Sequence, residues 1–274
     1  MKTTNYTILI SLVFFTISGV ITSCKKGCTD AMASNYSQKA KKDDGTCLFR
    51  AEPLPTELKY SRIMPLGASR VEGDRPNFES FRYELWKDLE QKNRVFDFIG
   101  TESDPAAYPL FNGLNFDTDH EGNSGWTTVE ILNGIATSLS QINSPDIVLF
   151  SSPGGNDALK NYPLDQTISN INSIIDLLQV NNPNVKILIE QMAPARSDIM
   201  TATLTDYINS LHSEVLIIAT NKSTTTSQII PLDMYTGFKD DFLADDVHYN
   251  EAGADFIASR YYAALDSILE YKLD

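Results

Sequence analysis

Reactive side-chain types gather in four short stretches of this chain. These are Pro65-Leu66-Gly67-Ala68-Ser69, Asp119-His120-Glu121-Gly122-Asn123-Ser124-Gly125-Trp126, Pro153-Gly154-Gly155-Asn156-Asp157 and Asp245-Asp246-Val247-His248. A serine hydroxyl, an imidazole and a carboxylate together supply a nucleophile, a base for its proton and a group that orients the base. A side-chain amide and glycine N–H groups stabilise negative charge growing on a carbonyl oxygen. That combination suits acyl transfer. Taken singly, each stretch also has an ordinary structural reading: a turn serine, a glycine loop, a histidine ahead of a helix. Asp245 and Asp246 are rival partners for the imidazole of His248. Position 71 is Val71, so the GxSxG elbow of another hydrolase class is missing. Neither GxGxxG nor GxxxxGK[ST] occurs, which removes dinucleotide and P-loop chemistry.

Regular elements must hold these stretches together. Short apolar, β-rich runs predict strands at Arg62–Met64, Val95–Ile99, Asp146–Phe150, Lys186–Ile189 and Gln228–Ile230. Amphipathic spacing predicts helices at Phe78–Gln91, Thr128–Leu139, Leu164–Val180, Leu204–Thr220 and Glu251–Tyr271. Strand–helix alternation means a parallel sheet with helices on both faces, and right-handed crossovers favour a five-stranded flavodoxin-like order. Ligands of such sheets sit outside the carboxyl ends of the strands. The loops after residues 64, 99, 150, 189 and 230 are therefore where chemistry is expected. The loop after Ile99 runs to about Trp126 without helical periodicity, a length that usually signals function.

The chain has 274 residues, 42% hydrophobic and 21% charged, enough for one large α/β domain and a small appendage. Its net charge of −14 argues against nucleic acid or anionic lipid headgroups as partners, which need a basic surface. Lys2 precedes a mostly apolar stretch from Ile8 to Ile21, interrupted by Ser11, Thr16 and Ser18. It leads into Ile21-Thr22-Ser23-Cys24, which looks like a bacterial lipobox. Residues 1–23 are then a lipoprotein signal peptide. Cys24 carries the lipid that anchors the chain in the cell envelope, at the outer membrane or cell surface.

Residues 24–57 read as a short module and linker ahead of a main domain at 58–274. In an exported chain the two remaining cysteines, Cys28 and Cys47, read as one disulfide. No neighbouring histidine completes a metal site. The segment resembles a CTDxxAxNY…DDGxC module common in exported bacterial proteins, with Asp43-Asp44-Gly45 as its tight turn. Glu52-Pro53-Leu54-Pro55 reads as a stiff linker.

Gly-x-Ser, Ser-Gly, Gly-x-Asn-Asp and Asp-x-x-His, in that order and at strand ends, resemble the SGNH (GDSL-like) hydrolase family over residues 59–270. More narrowly, Arg62–Gly67, Asp97–Gly100, Asp119–Gly122, Ser124–Trp126, Asp233–Tyr235 and Asp246–Gly253 look like the carbohydrate-esterase branch typified by acetylxylan esterases. The resemblance implies a three-layer flavodoxin-like fold around a central five-stranded parallel sheet. It implies an esterase, working without cofactor or metal, that removes acyl and above all acetyl groups from polysaccharide or oligosaccharide esters. By the same resemblance Ser69 is the nucleophile and His248 the base, with Asp245 as its orienting acid because the family spacing is Asp-x-x-His. The oxyanion hole comprises the backbone N–H groups of Ser69 and Gly125 and the side-chain amide of Asn156.

Arg70, His120, Trp126 and Arg196 are candidate substrate contacts, although His120 equally suits holding its loop and Trp126 anchoring the next helix. His212 falls in a helix and is expected to be solvated or partly packed. One position departs from the family: relatives read Gly-Asp-Ser where this chain has Gly67-Ala68-Ser69. The absent Asp is expected to brace the nucleophile loop. Two alternatives keep the same residues, a lysophospholipase or thioesterase and a glycan-binding protein with a weakened site.

Overall fold

A computed structural model describes residues 25–29, 33, 35–48 and 61–272. Cys24, the signal segment and the Glu52–Pro55 linker lie outside the described residues. The chain divides into two units, residues 1–52 and 53–274. In the first, Cys28 and Cys47 form a disulfide with Cα atoms 4.7 Å apart. The expected turn is present: Asp43 Oδ1 accepts the Gly45 N–H at 2.8 Å, and Gly45 adopts φ 78°. Asn35 laces the segment further, donating to Thr46 O and accepting from Leu48 N–H. A segment this small depends on its covalent staple.

The second unit carries, in chain order, β1 (Ser61–Gly67), α1 (Ser69–Glu72), α2 (Phe81–Gln91), β2 (Phe96–Phe98), β3 (Glu102–Ser103), β4 (Asp119–Gly122) and α3 (Thr128–Gln141). Then follow β5 (Ile147–Phe150), α4 (Gly155–Leu159), α5 (Leu164–Asn181), β6 (Lys186–Gln191), α6 (Ala202–Lys222), β7 (Ile229–Asp233) and α7 (Glu251–Leu265). β1, β5, β6 and β7 pair in parallel in that order. On the other edge of β1, its first half pairs with β2 at Ser61–Ile63 and its last residues pair with β4 at Leu66–Gly67. The expected five-column parallel sheet is therefore present, with its second column split between two short strands. β3 adds an antiparallel pair outside β4.

Alternation along β1 sends Ile63 to one core and Met64 and Leu66 to the other. The first core includes Phe81, Leu85, Ile257 and Tyr261, from α2 and α7. The second includes Ile131, Ile174 and Leu211, from α3, α5 and α6. Strands covered on both faces have no need of polar alternation, which is why β5 reads Ile-Val-Leu-Phe and is buried throughout.

Three expectations are corrected. The stretch from Ile99 to Trp126 is not structureless, because β4 takes over the edge of β1 where β2 leaves it. Glycine makes that approach feasible: a Cβ on Gly122 would lie 2.7 Å from the Val71 side chain. The last helix ends at Leu265 rather than Tyr271. Its backbone turns back so that Glu270 O accepts the Val95 N–H and Tyr271 bridges to Arg94 at the start of β2. The second helix begins at Phe81 rather than Phe78, because the Ser80 hydroxyl accepts the Arg82 N–H and caps it.

Candidate active site

β1 ends at Gly67, and the chain turns sharply through Ala68 into α1, with the Val71 and Glu72 N–H groups donating to Ala68 O. Ser69 is the first residue of this turn. Its Oγ lies 2.8 Å from His248 Nε2, and His248 Nδ1 lies 2.7 Å from Asp245 Oδ2. An Nδ1–H donated to Asp245 leaves the Nε2 lone pair facing the serine hydroxyl. The loop shapes itself around Asp245, whose Oδ1 accepts the N–H groups of Val247 at 2.8 Å and His248 at 2.7 Å. Burial works to raise this carboxyl's pKa. The hydrogen bonds from Val247 and His248 outweigh it and hold the pKa below the ordinary aspartate value.

Of the two aspartates, Asp245 contacts the His248 imidazole, whereas Asp246 faces elsewhere. The Asp246 carboxylate pairs with the Arg196 guanidinium, and its carbonyl accepts the Arg196 N–H at 2.8 Å. The imidazole of His248 is further fixed by Phe78, whose ring stacks on it at 3.9 Å and 14°.

Asn156 and Gly125 reach the same place from two other strand ends. Together with Ser69, Phe78 and His248 they line an open cleft of about 410 Å³, whose wall also carries Glu72 and Asp74. Asn156 Nδ2 donates one N–H to Trp126 O at 2.8 Å, which orients the amide and leaves its second N–H for another acceptor. Asp157 secures the turn beneath it: its carboxylate accepts the Thr128 N–H at 2.9 Å, the Thr128 hydroxyl at 2.6 Å and the Thr167 hydroxyl at 3.1 Å. Gly125 adopts φ 78°, a left-handed conformation that side chains resist. The neighbouring Ser124 N–H donates to the Glu72 carboxylate.

A second space opens beside Ser69. It is a recess of about 60 Å³ running inward between α3, α4 and α6. Ser69 and Asn156 line both spaces, whereas His248 lines only the cleft.

The four candidate substrate contacts fare differently. Arg70 is committed to the protein, donating to Val247 O at 2.9 Å, Ala193 O at 2.8 Å and Pro194 O at 3.0 Å while lying over the Tyr249 ring. It ties the Ser69 turn to the His248 loop and the β6 loop, and so braces that turn. His120 is buried, and its Nδ1 accepts the Gly122 N–H at 3.1 Å. Burial and the Arg82 guanidinium push its pKa down to about 3, so it is a neutral holder of the β4 bend. Trp126 lines the recess and not the cleft, and its indole lies over Gly134 in the middle of α3. Arg196 sits on the exposed rim, paired with Asp198 and Asp246. His212 is partly packed, with Nε2 3.1 Å from Met192 O.

Sequence reasoning missed Phe78, which it placed inside a helix, and Glu190 at the end of β6. Glu190 is fully buried and accepts the Ser152 N–H at 2.8 Å and the Tyr261 hydroxyl at 2.7 Å. Burial, stronger than these bonds, drives its pKa up. It holds the β5 loop just ahead of Asn156, where Ser152 takes a left-handed φ of 46°. A carboxylate directly after the apolar run Ile187–Ile189 was the available signal.

Residues 105–256, more than half of the chain, match the GDSL-like lipase/acylhydrolase family. A carbohydrate esterase of family 3 from Talaromyces cellulolyticus is 28% identical, with a TM-score of 0.63 over 76% of this chain and 97% of its own. A family 3 carbohydrate esterase from Clostridium thermocellum is also 28% identical, with a TM-score of 0.62 over 77% of this chain and 97% of its own. A putative acylhydrolase from Bacteroides fragilis, 20% identical, shares the fold with a TM-score of 0.54 over 80% of this chain and 92% of its own. No curated protein sequence matches. The chain belongs to the GDSL-like lipase/acylhydrolase family.

Proposed function

We propose that this protein is a serine esterase that removes acyl groups, acetyl foremost, from hydroxyls of polysaccharides or oligosaccharides. The observation that carries the proposal is the continuous Asp245–His248–Ser69 hydrogen-bond relay at the mouth of a polar cleft. In the proposed reaction Ser69 Oγ attacks the ester carbonyl carbon as His248 Nε2 takes its proton. Charge on the carbonyl oxygen is met by the N–H groups of Ser69 and Gly125 and the second N–H of Asn156. The tetrahedral species collapses, the carbon–alkoxy bond breaks, and His248 returns the proton to the departing sugar oxygen. Water then attacks the acyl-serine, again losing a proton to His248, which restores the serine as the carboxylic acid leaves. Asp245 keeps the imidazole in its working tautomer throughout.

A carbohydrate leaving group is supported by the two family 3 carbohydrate esterases that the chain resembles. The carboxylates of Glu72 and Asp74 on the cleft wall add to this, since they accept sugar hydroxyls and repel anionic glycans. The lipobox-like Ile21-Thr22-Ser23-Cys24 supports placement in the cell envelope, lipid-anchored through Cys24. The test is acetate release from acetylated xylan, mannan and pectin. Xylan and mannan are expected to release acetate faster than the uronate-rich pectin. Release from none of them, beside Ser69-dependent turnover of a small synthetic ester, overturns the carbohydrate assignment in favour of a lipid or thioester substrate.

A further inference from the structure

The two spaces that meet at Ser69 differ in kind, and the mechanism assigns them to different halves of an ester. His248 must protonate the departing alkoxy oxygen, and it lines only the open polar cleft. The alcohol half therefore lies in the cleft. Ser69 and Asn156 line both spaces, so the carbonyl carbon and its oxygen belong at the junction. The remaining substituent of that carbon, the acyl chain, then points into the recess. Its apolar lining is Trp126, Ile131, Leu159, Met192, Leu204 and Ile208. Leu204 and Ile208 stand one turn apart on α6, which puts them on the same face.

Size makes the assignment specific. A water-sized group needs about 10–15 Å³, so the recess of about 60 Å³ holds about four to six such groups. The methyl of an acetyl ester fills only a fraction of that space. We infer that the recess between α3, α4 and α6 is an acyl pocket with room for the three carbons of a butyryl chain beyond its carbonyl, and that Leu204 and Ile208 limit longer chains. This rests on the serine-esterase reading above and adds the acyl range to it. No step of the reaction changes: the butyryl carbon bonds to Ser69 Oγ, the alkoxy oxygen leaves with the proton from His248, and water releases butyrate.

Each methylene that leaves water adds about 0.8 kcal/mol, or roughly fourfold, to transition-state binding when the pocket has room for it. The experiment is kcat/KM for p-nitrophenyl acetate, propionate, butyrate, hexanoate and octanoate with the full chain, beside Leu204→Trp and Leu204→Ala. The wild-type protein is expected to rise by about fourfold per methylene up to butyrate and to fall by octanoate. Leu204→Trp should lower the butyrate-to-acetate ratio by at least about tenfold, and Leu204→Ala should move the maximum to hexanoate. Leu204 is only partly buried, and the wild-type series stands by itself if either variant fails to fold. A wild-type ratio of butyrate to acetate at or below one overturns the inference, as does a chain-length profile that neither Leu204 variant shifts. Absence of Ser69-dependent turnover for every ester in the series defeats the esterase reading instead, so the two failures are distinct.

Discussion

Replacing Ser69 with alanine is expected to lower kcat on p-nitrophenyl acetate by about 10⁵–10⁶-fold, the scale seen when the nucleophile of a serine hydrolase is deleted. The imidazole of His248 has the Ser69 hydroxyl as its only hydrogen-bond partner at Nε2 among the described residues. Losing that hydroxyl removes the covalent route and leaves oxyanion donors and binding alone. The substitution deletes one oxygen from a partly exposed residue at the head of a short turn whose backbone bonds do not involve the side chain. Thermal stability should therefore change little. Steady-state kinetics beside a melting curve checks both halves, and residual turnover within about tenfold of wild type would show that another group attacks the ester.

Asp245→Asn should cost about 10⁴-fold in kcat with the loop intact. The asparagine keeps an Oδ1 to accept the Val247 and His248 N–H groups, so the fold of the Asp245–His248 loop survives. The atom facing His248 Nδ1, however, becomes an NH₂ group. A donor there forces the ring proton onto Nε2, and an Nε2–H cannot accept the Ser69 proton. The control is Asp246→Asn, expected within about threefold of wild type because that carboxylate faces Arg196 on the exposed rim. A larger loss in Asp246→Asn than in Asp245→Asn would reverse the assignment made between these neighbours.

The contrast between these aspartates shows what was legible in the sequence. A serine, an asparagine and a histidine at the ends of three different strands could be read as one site, because parallel sheets collect such ends along one edge. The buried strands were readable for the same reason: runs such as Ile147–Phe150 must be apolar on both faces. What could not be read depends on contacts between distant segments. β3 and β4 are too short to show a period, and β4 exists because it completes the edge of β1. The end of α7 is decided by backbone bonds to the entry of β2, which local helical spacing does not register.

Arg70 carries the same lesson at the level of one side chain. An arginine beside a candidate nucleophile reads as a substrate contact, yet three backbone carbonyls from two other loops and the Ser152 hydroxyl take up most of its donors. It thereby braces the Ser69 turn. Phe78 was invisible for a related reason: its value lies in stacking on His248, 170 positions downstream. His120 shows the opposite outcome, since one of its two readings, holding the loop, is the one its burial and bond to Gly122 select.

The most direct test of the central claim, that His248 activates Ser69 as the nucleophile, is covalent labelling with diethyl p-nitrophenyl phosphate followed by peptide mass mapping. Serine Oγ displaces p-nitrophenolate and keeps the diethylphosphoryl group, so the label records which oxygen attacked. The account predicts one adduct, on the peptide containing Ser69, formed at least about a thousandfold more slowly in His248→Ala. Labelling confined to another residue, or an undiminished rate without the imidazole, would contradict it.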